Sequence, residues 1–199
     1  MGFNVIPFDE YQYPDKFLDF CKTASQEVTQ PASVNMWSSS WEQDLHTLPY
    51  KLFIEKIYTA PRGTFYLVLH NNEIVACSGA YRSEFCSSVL IAGARTWVSN
   101  SYRNLLLLRD YLLPAQKKFA IDNNYQALAL SFNSYNKNII KIWKRSRLGE
   151  KLSPRESHHM FYNNFNEVEF PVEIQYTPQW VIYEKLNSNF NFDWNNLRS

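Results

Sequence analysis

The stretch from Arg95 to Arg147, with the strand that leads into it, constrains the fold of this chain more than any other part of the sequence. Its pattern predicts a strand, a polar loop, a helix, a second strand and the start of another helix, at Leu90–Val98, Ser99–Asn104, Leu105 to about Asn123, Ala127–Phe132 and from about Asn136. This succession is a βαβ unit, in which a crossover helix joins two parallel strands. The end of the first strand then lies beside a helix N-terminus, where unpaired N–H groups and the helix dipole attract an anion. The sequence therefore predicts a site for a phosphate-bearing ligand.

Two runs of residues in this stretch resemble the motifs of a known family. The run Val98-Ser99-Asn100-Ser101-Tyr102-Arg103-Asn104-Leu105-Leu106-Leu107-Leu108 is similar to the signature of the GCN5-related N-acetyltransferases (GNAT). There a strand ends in Val, and Arg-x-x-Gly-x-Gly/Ala opens a helix; Arg103 stands at the basic position. The run from Asn136 to Trp143 resembles the second family signature, an Asn followed seven residues later by an aromatic residue. The order of predicted elements fits the family from residue 1 to about residue 186.

The chain departs from the family pattern at three positions. Leu106 and Leu108 occupy positions that are usually small, and Trp143 stands where Tyr is common. A helical residue has no dihedral need for glycine, so we expect leucine to form the turn. Glycine does allow backbone amides to approach a pyrophosphate closely, and a Leu side chain can obstruct that approach. An indole N–H, unlike a tyrosine hydroxyl, cannot protonate a leaving thiolate at useful pH.

The resemblance implies an α/β (α+β) fold with a mixed, mostly antiparallel central sheet, a βαβ unit that binds acetyl-coenzyme A, and helices on both faces. The remaining sequence is consistent with this architecture. It predicts strands at Phe3–Phe8, Gly63–His70, Glu73–Arg82, Val89–Val98, Pro171–Tyr176 and Gln179–Leu186, and a further strand that starts near His158, with helices from about Pro14 and between Ser40 and Tyr58. Pro49 is expected to break the second helical region. In the family, this helical pair usually covers the acceptor substrate.

The crossover helix after Asn104 has its own predicted features. An apolar face consists of Leu105, Leu108, Leu112, Ala115 and Phe119. Pro114 predicts a kink after the first turns of the helix.

Length and composition limit the classes of protein that remain. With 199 residues and 45% hydrophobic content, residues 1–186 are expected to form a single domain, followed by an Asn- and aromatic-rich tail at 187–199. A net charge of +1 argues against a nucleic-acid partner. Only 5 glycines are present, which argues against a P-loop or a Rossmann dinucleotide site.

The cysteines and histidines indicate the compartment of the protein and limit its chemistry. Cys21, Cys77 and Cys86 show no CxxC spacing, which indicates free thiols, a reducing compartment and a cytoplasmic protein. We expect no membrane span, because no run approaches about 20 apolar residues. No metal site is expected, because the four histidines (His46, His70, His158 and His159) lack zinc-ligand spacing. A Cys–His nucleophile pair stays open.

The resemblance also implies a site. Acetyl-coenzyme A would be the co-substrate, its pantetheine arm pairing with backbone groups of Trp97 and Val98 and with Asn136. Its pyrophosphate would lie on the amides of Arg103, Asn104, Leu105, Leu106, Leu107 and Leu108. Glu84 is the candidate general base, and Tyr135 the candidate substitute for the family's acidic hydroxyl.

Two functions follow from these expectations. The first is transfer of an acetyl group from acetyl-coenzyme A to a primary amine of a small molecule, peptide or protein, by direct attack. The alternative is a GNAT-fold domain that has lost catalysis and acts as a binding or structural protein; Leu106, Leu108 and Trp143 favour it. The sequence specifies neither the acceptor nor the oligomeric state.

Overall fold

The computed structural model describes residues 2–27, 58–83, 86–133, 150–151 and 179–190. Several predicted elements lie outside these residues: almost all of the helical region from Ser40 to Tyr58, the helix from Asn136, the strands near His158 and at Pro171–Tyr176, and most of the 187–199 tail. They stay predictions.

The described residues contain seven strands, separated in places by helical segments. The strands are β1 (Asn4–Pro7), β2 (Gly63–His70), β3 (Glu73–Arg82), β4 (Val89–Val98), β5 (Ala127–Asn133), β6 (Glu150–Lys151) and β7 (Gln179–Lys185). The helices are α1 (Pro14–Glu27) and α2 (Leu113–Asp122), with 3-10 turns at Phe8–Glu10 and Asn100–Leu105 and a π-helical segment at Leu108–Leu112. No helix in the described part of the chain is long and apolar enough to cross a membrane.

The sheet is mixed and mostly antiparallel, as predicted. Its strand order is β1-β2-β3-β4-β5-β7-β6. β4 and β5 run parallel, whereas β1–β2, β2–β3, β5–β7 and β6–β7 are antiparallel. The parallel pair is the one expected from the βαβ pattern. The predicted fold class is therefore confirmed.

The chain divides into two compact units, each assembled from two stretches. Unit one comprises Met1–Tyr81 and Gly93–Phe119, and unit two comprises Arg82–Ala92 and Ala120–Ser199. The single domain expected at residues 1–186 stays a prediction.

Unit one contains a hairpin whose turn follows from the sequence. β2 and β3 pair through Asn71 and Asn72, whose φ values are 53° and 65°. Asparagine tolerates this left-handed conformation, and two such residues form the turn whose twist matches that of a hairpin. The strand bounds of this hairpin agree with the prediction.

Helical segments of unit one pack on opposite faces of its strands. Successive residues of a strand point to opposite faces, and in β2 the neighbours Leu67 and Val68 belong to different buried clusters. The cluster of Leu67 includes Phe17 and Cys21 of α1. The cluster of Val68 includes Leu112, at the end of the π-helical segment. α1 and the segment leading into α2 thus cover opposite faces.

The predicted apolar face of the crossover helix is wrong beyond Leu112. Gln116 and Ala120 are fully buried there, whereas Ala115 and Phe119 are only half-buried. The π-helical segment explains the displacement of one residue. Its turns hold more residues than α-helical turns, so every later side chain is rotated relative to a regular helix.

Pro114 follows this segment directly. Proline has no N–H, so the carbonyl four residues earlier receives no α-helical bond from it. One residue before it, Leu113 N–H donates to Leu108 O, five residues back. The irregularity therefore lies immediately before Pro114 and in the first turns of the helix, not after them as predicted.

Unit two contains the parallel pairing. Val89–Ala92 of β4 pairs with Ala127–Leu130 of β5, and β5 pairs along its whole length with β7. The Gln126 N–H donates to Ser88 O at 2.7 Å, just before the first paired residues. β6 has only two residues, too few to show a periodic pattern, and no strand was predicted at this position.

Candidate active site

A bulge in the second half of β4 is the central feature of the candidate site. Gly93 has φ 72° and Arg95 has φ 49°, and both lie inside a strand. Residues in this left-handed conformation interrupt the regular ladder and change the direction of the backbone groups that follow. The pairing with β5 extends to Ala92, directly before the bulge.

The Cys77 thiol of β3 contacts the backbone of the two residues that flank Thr96 in the bulged strand. Cys77 Sγ donates to Arg95 O at 3.6 Å and accepts a hydrogen bond from the Trp97 backbone. Burial raises the pKa of this thiol to about 12, although the Trp97 hydrogen bond and the Arg95 charge lower it. The thiol is therefore neutral and directs the Trp97 N–H toward β3.

The backbone of Val98 faces the other way. Ser99 N–H donates to Val75 O of β3 at 2.9 Å. Because the backbone groups of successive strand residues alternate in direction, Val98 directs its N–H and C=O away from β3. Its carbonyl accepts a hydrogen bond from Arg103 Nε at 3.2 Å.

Arg103 lies against the end of β4. Its guanidinium carbon is 4.7 Å from the centroid of the Trp97 ring, within the range of a cation–π contact. The residue is exposed. Arg103 therefore places a permanent positive charge beside Trp97 and Val98.

The turn after β4 ends in a strained residue. Asn100–Leu105 forms a 3-10 turn, and Leu106 follows in the left-handed conformation with φ 53° and ψ 31°. The expectation that leucine adopts a helical turn here is therefore wrong, and the predicted helix does not begin at Leu105. Side chains of L-residues make this conformation unfavourable, which is why glycine is common in it.

The helical ladder starts directly after this residue. Asp110 N–H donates to Leu106 O at 3.0 Å. The amides just before Asp110 therefore belong to a helix N-terminus, where backbone N–H groups lack partners within the helix. Leu107 is buried and Leu108 packs against the same cluster, whereas Leu106 is half-buried.

A cluster of aromatic side chains that includes His70 of β2 stabilises the turn after β4. Tyr102 Oη is 3.1 Å from His70 Nδ1, and Tyr102 N–H donates to Ser99 O at 2.8 Å. Phe3 lies against both rings, with centroids 5.0 Å from His70 and 6.1 Å from Tyr102. These contacts fix the residue immediately before Arg103.

Comparison with known structures identifies this arrangement of elements. A GNAT-family acetyltransferase from Staphylococcus aureus Mu50 matches 94% of this chain and 100% of its own, with a TM-score of 0.59 and 16% identity. RimL, a ribosomal L7/L12 α-N-protein acetyltransferase in complex with coenzyme A, matches over 94% and 96%, with a TM-score of 0.62 and 10% identity. PaiA N-acetyltransferase from Thermoplasma acidophilum, also with coenzyme A, matches over 93% and 99%, with a TM-score of 0.60 and 8% identity. The chain has the GNAT fold. No protein-family model matches the sequence, and no curated protein matches it.

Within this GNAT fold, the structure brings some of the predicted site residues together. Trp97, Val98 and Arg103 are in contact, and Leu107 and Leu108 start the helix that follows Leu106. The backbone of Asn104 and Leu105 lies in the 3-10 turn.

The other candidates lie outside the described residues. These are Glu84, Tyr135 and Asn136, together with Trp143. Among the residues that the structure describes, no three His, Cys, Asp or Glu side chains are grouped as metal ligands.

Sequence reasoning missed three contributors to the site. Gly93 had a signal, because an isolated glycine inside a strand pattern suggests a bulge. Gln116 had a weaker one, as an amide four residues from both Leu112 and Ala120. His70 had none, since its partner Tyr102 is 32 residues away.

Proposed function

We propose that this protein transfers an acetyl group from acetyl-coenzyme A to a primary amine. The observation that carries the proposal is the end of β4, where a bulged strand leads through a basic turn into a helix N-terminus within a GNAT fold. Such an end combines outward-facing backbone groups with amides that favour a phosphate.

The pantetheine arm would pair with the backbone at Trp97 and Val98, with Asn136 as a further contact. Support comes from Val98, whose backbone groups face away from β3. The Val98 carbonyl also has a second lone pair besides the one that Arg103 uses. Val98 is therefore the stronger of the two strand positions.

The pyrophosphate would lie on the amides from Arg103 to Leu108. A guanidinium has five N–H donors in a planar fork that suits phosphate oxygens. Arg103 directs Nε to Val98 O, so the fork lies next to the pantetheine position. Leu106 already adopts the backbone conformation typical of glycine, which keeps the turn in the shape that a small residue would give it.

The reaction would proceed by attack of a neutral amine on the thioester carbonyl. The C–N bond forms, the C–S bond breaks, the amine proton passes to a base, and the coenzyme A thiolate takes up a proton. We assign the base to Glu84 and the proton donor to Tyr135. The oxyanion would be stabilised by the Val98 N–H, because the Trp97 N–H is directed to Cys77.

The acceptor is an amine of a small molecule, peptide or protein. RimL acts on ribosomal L7/L12, and a further structural neighbour is a spermidine N-acetyltransferase chimera with a TM-score of 0.59. Both classes of amine fit the proposal. We place the protein in the cytoplasm, since Cys21, Cys77 and Cys86 are all free thiols.

A second candidate is a GNAT-fold domain that binds or scaffolds without catalysis. The specific observation in its favour is Arg103, which bonds Val98 O and stacks on Trp97. In this alternative, the arginine closes the end of β4 permanently and coenzyme A does not bind.

Calorimetric titration with acetyl-coenzyme A and with coenzyme A distinguishes the two candidates. The transferase should bind both in the micromolar range, and Arg103→Glu should weaken binding at least about tenfold, since a charge-assisted bond to phosphate contributes about 1.5–3 kcal/mol. Arg62→Glu is the matched control, because Arg62 is also an exposed arginine but lies just before Gly63, at the end of β2 opposite to His70. Absence of heat with a protein that is folded by circular dichroism would refute the transferase. Where binding is found, thiol release in the presence of candidate amines tests the reaction.

A further inference from the structure

Gln116 is a completely buried amide in the middle of α2. Its side chain is 0% exposed. Nε2 donates to Ser78 Oγ at 2.9 Å and to Gly79 O at 3.0 Å, and Oε1 accepts from Gly93 N–H at 3.1 Å. These bonds require donors on one side of the amide and an acceptor on the other, so they fix its orientation. A buried amide is tolerated because its hydrogen-bonding groups are paired.

The hydrogen bonds continue through two hydroxyls and return to the same residue of β4. Thr96 Oγ1 donates to Gly93 O at 2.8 Å. Its single hydrogen is then used, so the 2.7 Å bond between Ser78 and Thr96 must be donated by Ser78 Oγ. The bonds thus run from Gln116 to Ser78, from Ser78 to Thr96, from Thr96 to Gly93, and from Gly93 back to Gln116. We call this closed cycle the Gln116 ring.

The ring stabilises the β4 bulge through hydrogen bonds to Gly93, the first residue of the bulge. Gly93, with φ 72°, gives its N–H to Gln116 and its C=O to Thr96. A bulge leaves strand groups without their regular ladder partners, and buried backbone groups need replacements. The ring supplies them. Since its bonds all run in one direction, they polarise one another, and loss of one member weakens the others.

The bulge decides where the next backbone groups point. Val98 lies two residues after Thr96, and its N–H and C=O face away from β3 because of the register that the bulge sets. Between the bonds from Ser83 N–H to Val89 O and from Ser99 N–H to Val75 O, β4 advances ten residues while β3 advances eight, so a bulge that relaxed toward a regular strand would displace Val98 along β3. Every ring residue lies in unit one, as does Val98.

We propose that Gln116 is a positioning residue for acetyl-coenzyme A: through the ring with Ser78, Thr96 and Gly93 it sets the β4 bulge that aims the Val98 backbone at the cofactor. The inference rests on the function proposed above. It assigns a cofactor-orienting task to a side chain that does not itself touch the cofactor.

Substitutions at Thr96 separate the hydroxyl from the shape of the side chain. Thr96→Val keeps the shape and opens the ring, whereas Thr96→Ser keeps the hydroxyl and the ring. Opening the ring should weaken coenzyme A binding at least about tenfold, and Thr96→Ser should leave it within about threefold. Gln116→Met should have the effect of Thr96→Val, and the double variant should lose little more, because both break one cycle.

Two further measurements separate positioning from stability. Hydrogen exchange of the Gly93 amide, followed by NMR, should accelerate in Thr96→Val and Gln116→Met but not in Thr96→Ser. Ala24→Gly, at a buried position of α1, is the matched control: it lowers stability in unit one and should leave coenzyme A affinity unchanged.

The outcomes are distinct. If the wild type binds coenzyme A and the ring-opened variants exchange Gly93 faster but bind equally well, the ring is structural only and the positioning inference is overturned with the transferase intact. The same inference fails if Ala24→Gly weakens binding as much as Thr96→Val. If the folded wild type does not bind coenzyme A, the proposed function fails and the inference fails with it, while the Gly93 exchange still reports whether the ring exists.

Discussion

Leu106 offers a direct test of the backbone at the start of the crossover helix. Its φ of 53° and ψ of 31° place it in the left-handed region. Replacing it by Gly and by Ala removes the same half-buried side chain, so the loss of packing largely cancels between the two variants. What differs is the Cβ atom, which Ala retains and Gly lacks.

The expected difference follows from two opposing contributions. The left-handed conformation costs a residue with a Cβ about 1–2 kcal/mol, and glycine loses about 0.4–1 kcal/mol through its larger freedom in the unfolded chain. Leu106→Gly should therefore be more stable than Leu106→Ala by about 0.5–1 kcal/mol. In a regular helix the order is reversed, with Ala favoured over Gly by about 0.8–1 kcal/mol.

Urea unfolding followed by tryptophan fluorescence and circular dichroism measures this difference. Ala115→Gly is the matched control, because Ala115 lies within α2 and should lose about 1 kcal/mol on substitution. The reasoning is refuted if Leu106→Ala is as stable as Leu106→Gly or more stable, since Leu106 would then be helical.

Three further predictions concern the strands and thiols of the sheet. Gly79→Ala should destabilise the protein by about 1–3 kcal/mol in urea unfolding, because an added Cβ would lie 2.5 Å from Tyr58 Cε1. Gly2→Ala is the control and should change stability little, because nothing lies within 4 Å of its added Cβ. Equal stabilities of the two variants would contradict this packing. The free energy of unfolding should fall as pH rises above 9, because the folded state keeps Cys77 protonated up to a pKa of about 12, while the unfolded thiol ionises near 9.0. A Cys77→Ala variant whose stability fell equally steeply with pH would contradict the assignment. In native protein a thiol reagent should modify half-buried Cys86 first, with Cys77 reacting only on unfolding; rapid modification of Cys77, detected by mass spectrometry, would refute its burial.

Local sequence patterns predicted the elements whose signals are local. The bounds of β2, β3 and β4 follow from alternating apolar residues and from the Asn71–Asn72 turn, and α1 begins at Pro14 as expected. These features depend on neighbours along the chain, so one sequence suffices to find them.

The features that shape the site depend on distant partners. Gln116 is buried because Ser78 and Gly93, 38 and 23 residues away, satisfy its amide. The run from Leu105 to Leu108 carries no local sign of the left-handed conformation of Leu106 or of the π-helical segment that displaces the buried face of α2. The site was therefore predicted in its location, at the end of β4, and not in its internal geometry.

The division of β4 between the two units has a consequence for biosynthesis. Unit one needs residues 93–119 in addition to residues 1–81, so it cannot be completed on the ribosome until Phe119 has emerged. Until then, the edge of β3 that later pairs with β4 has no complete partner strand, and exposed strand edges are sites of mispairing. A fragment ending before Gly93 would retain that edge. We therefore expect the nascent chain to depend most on chaperones during synthesis of the residues between Arg82 and Phe119.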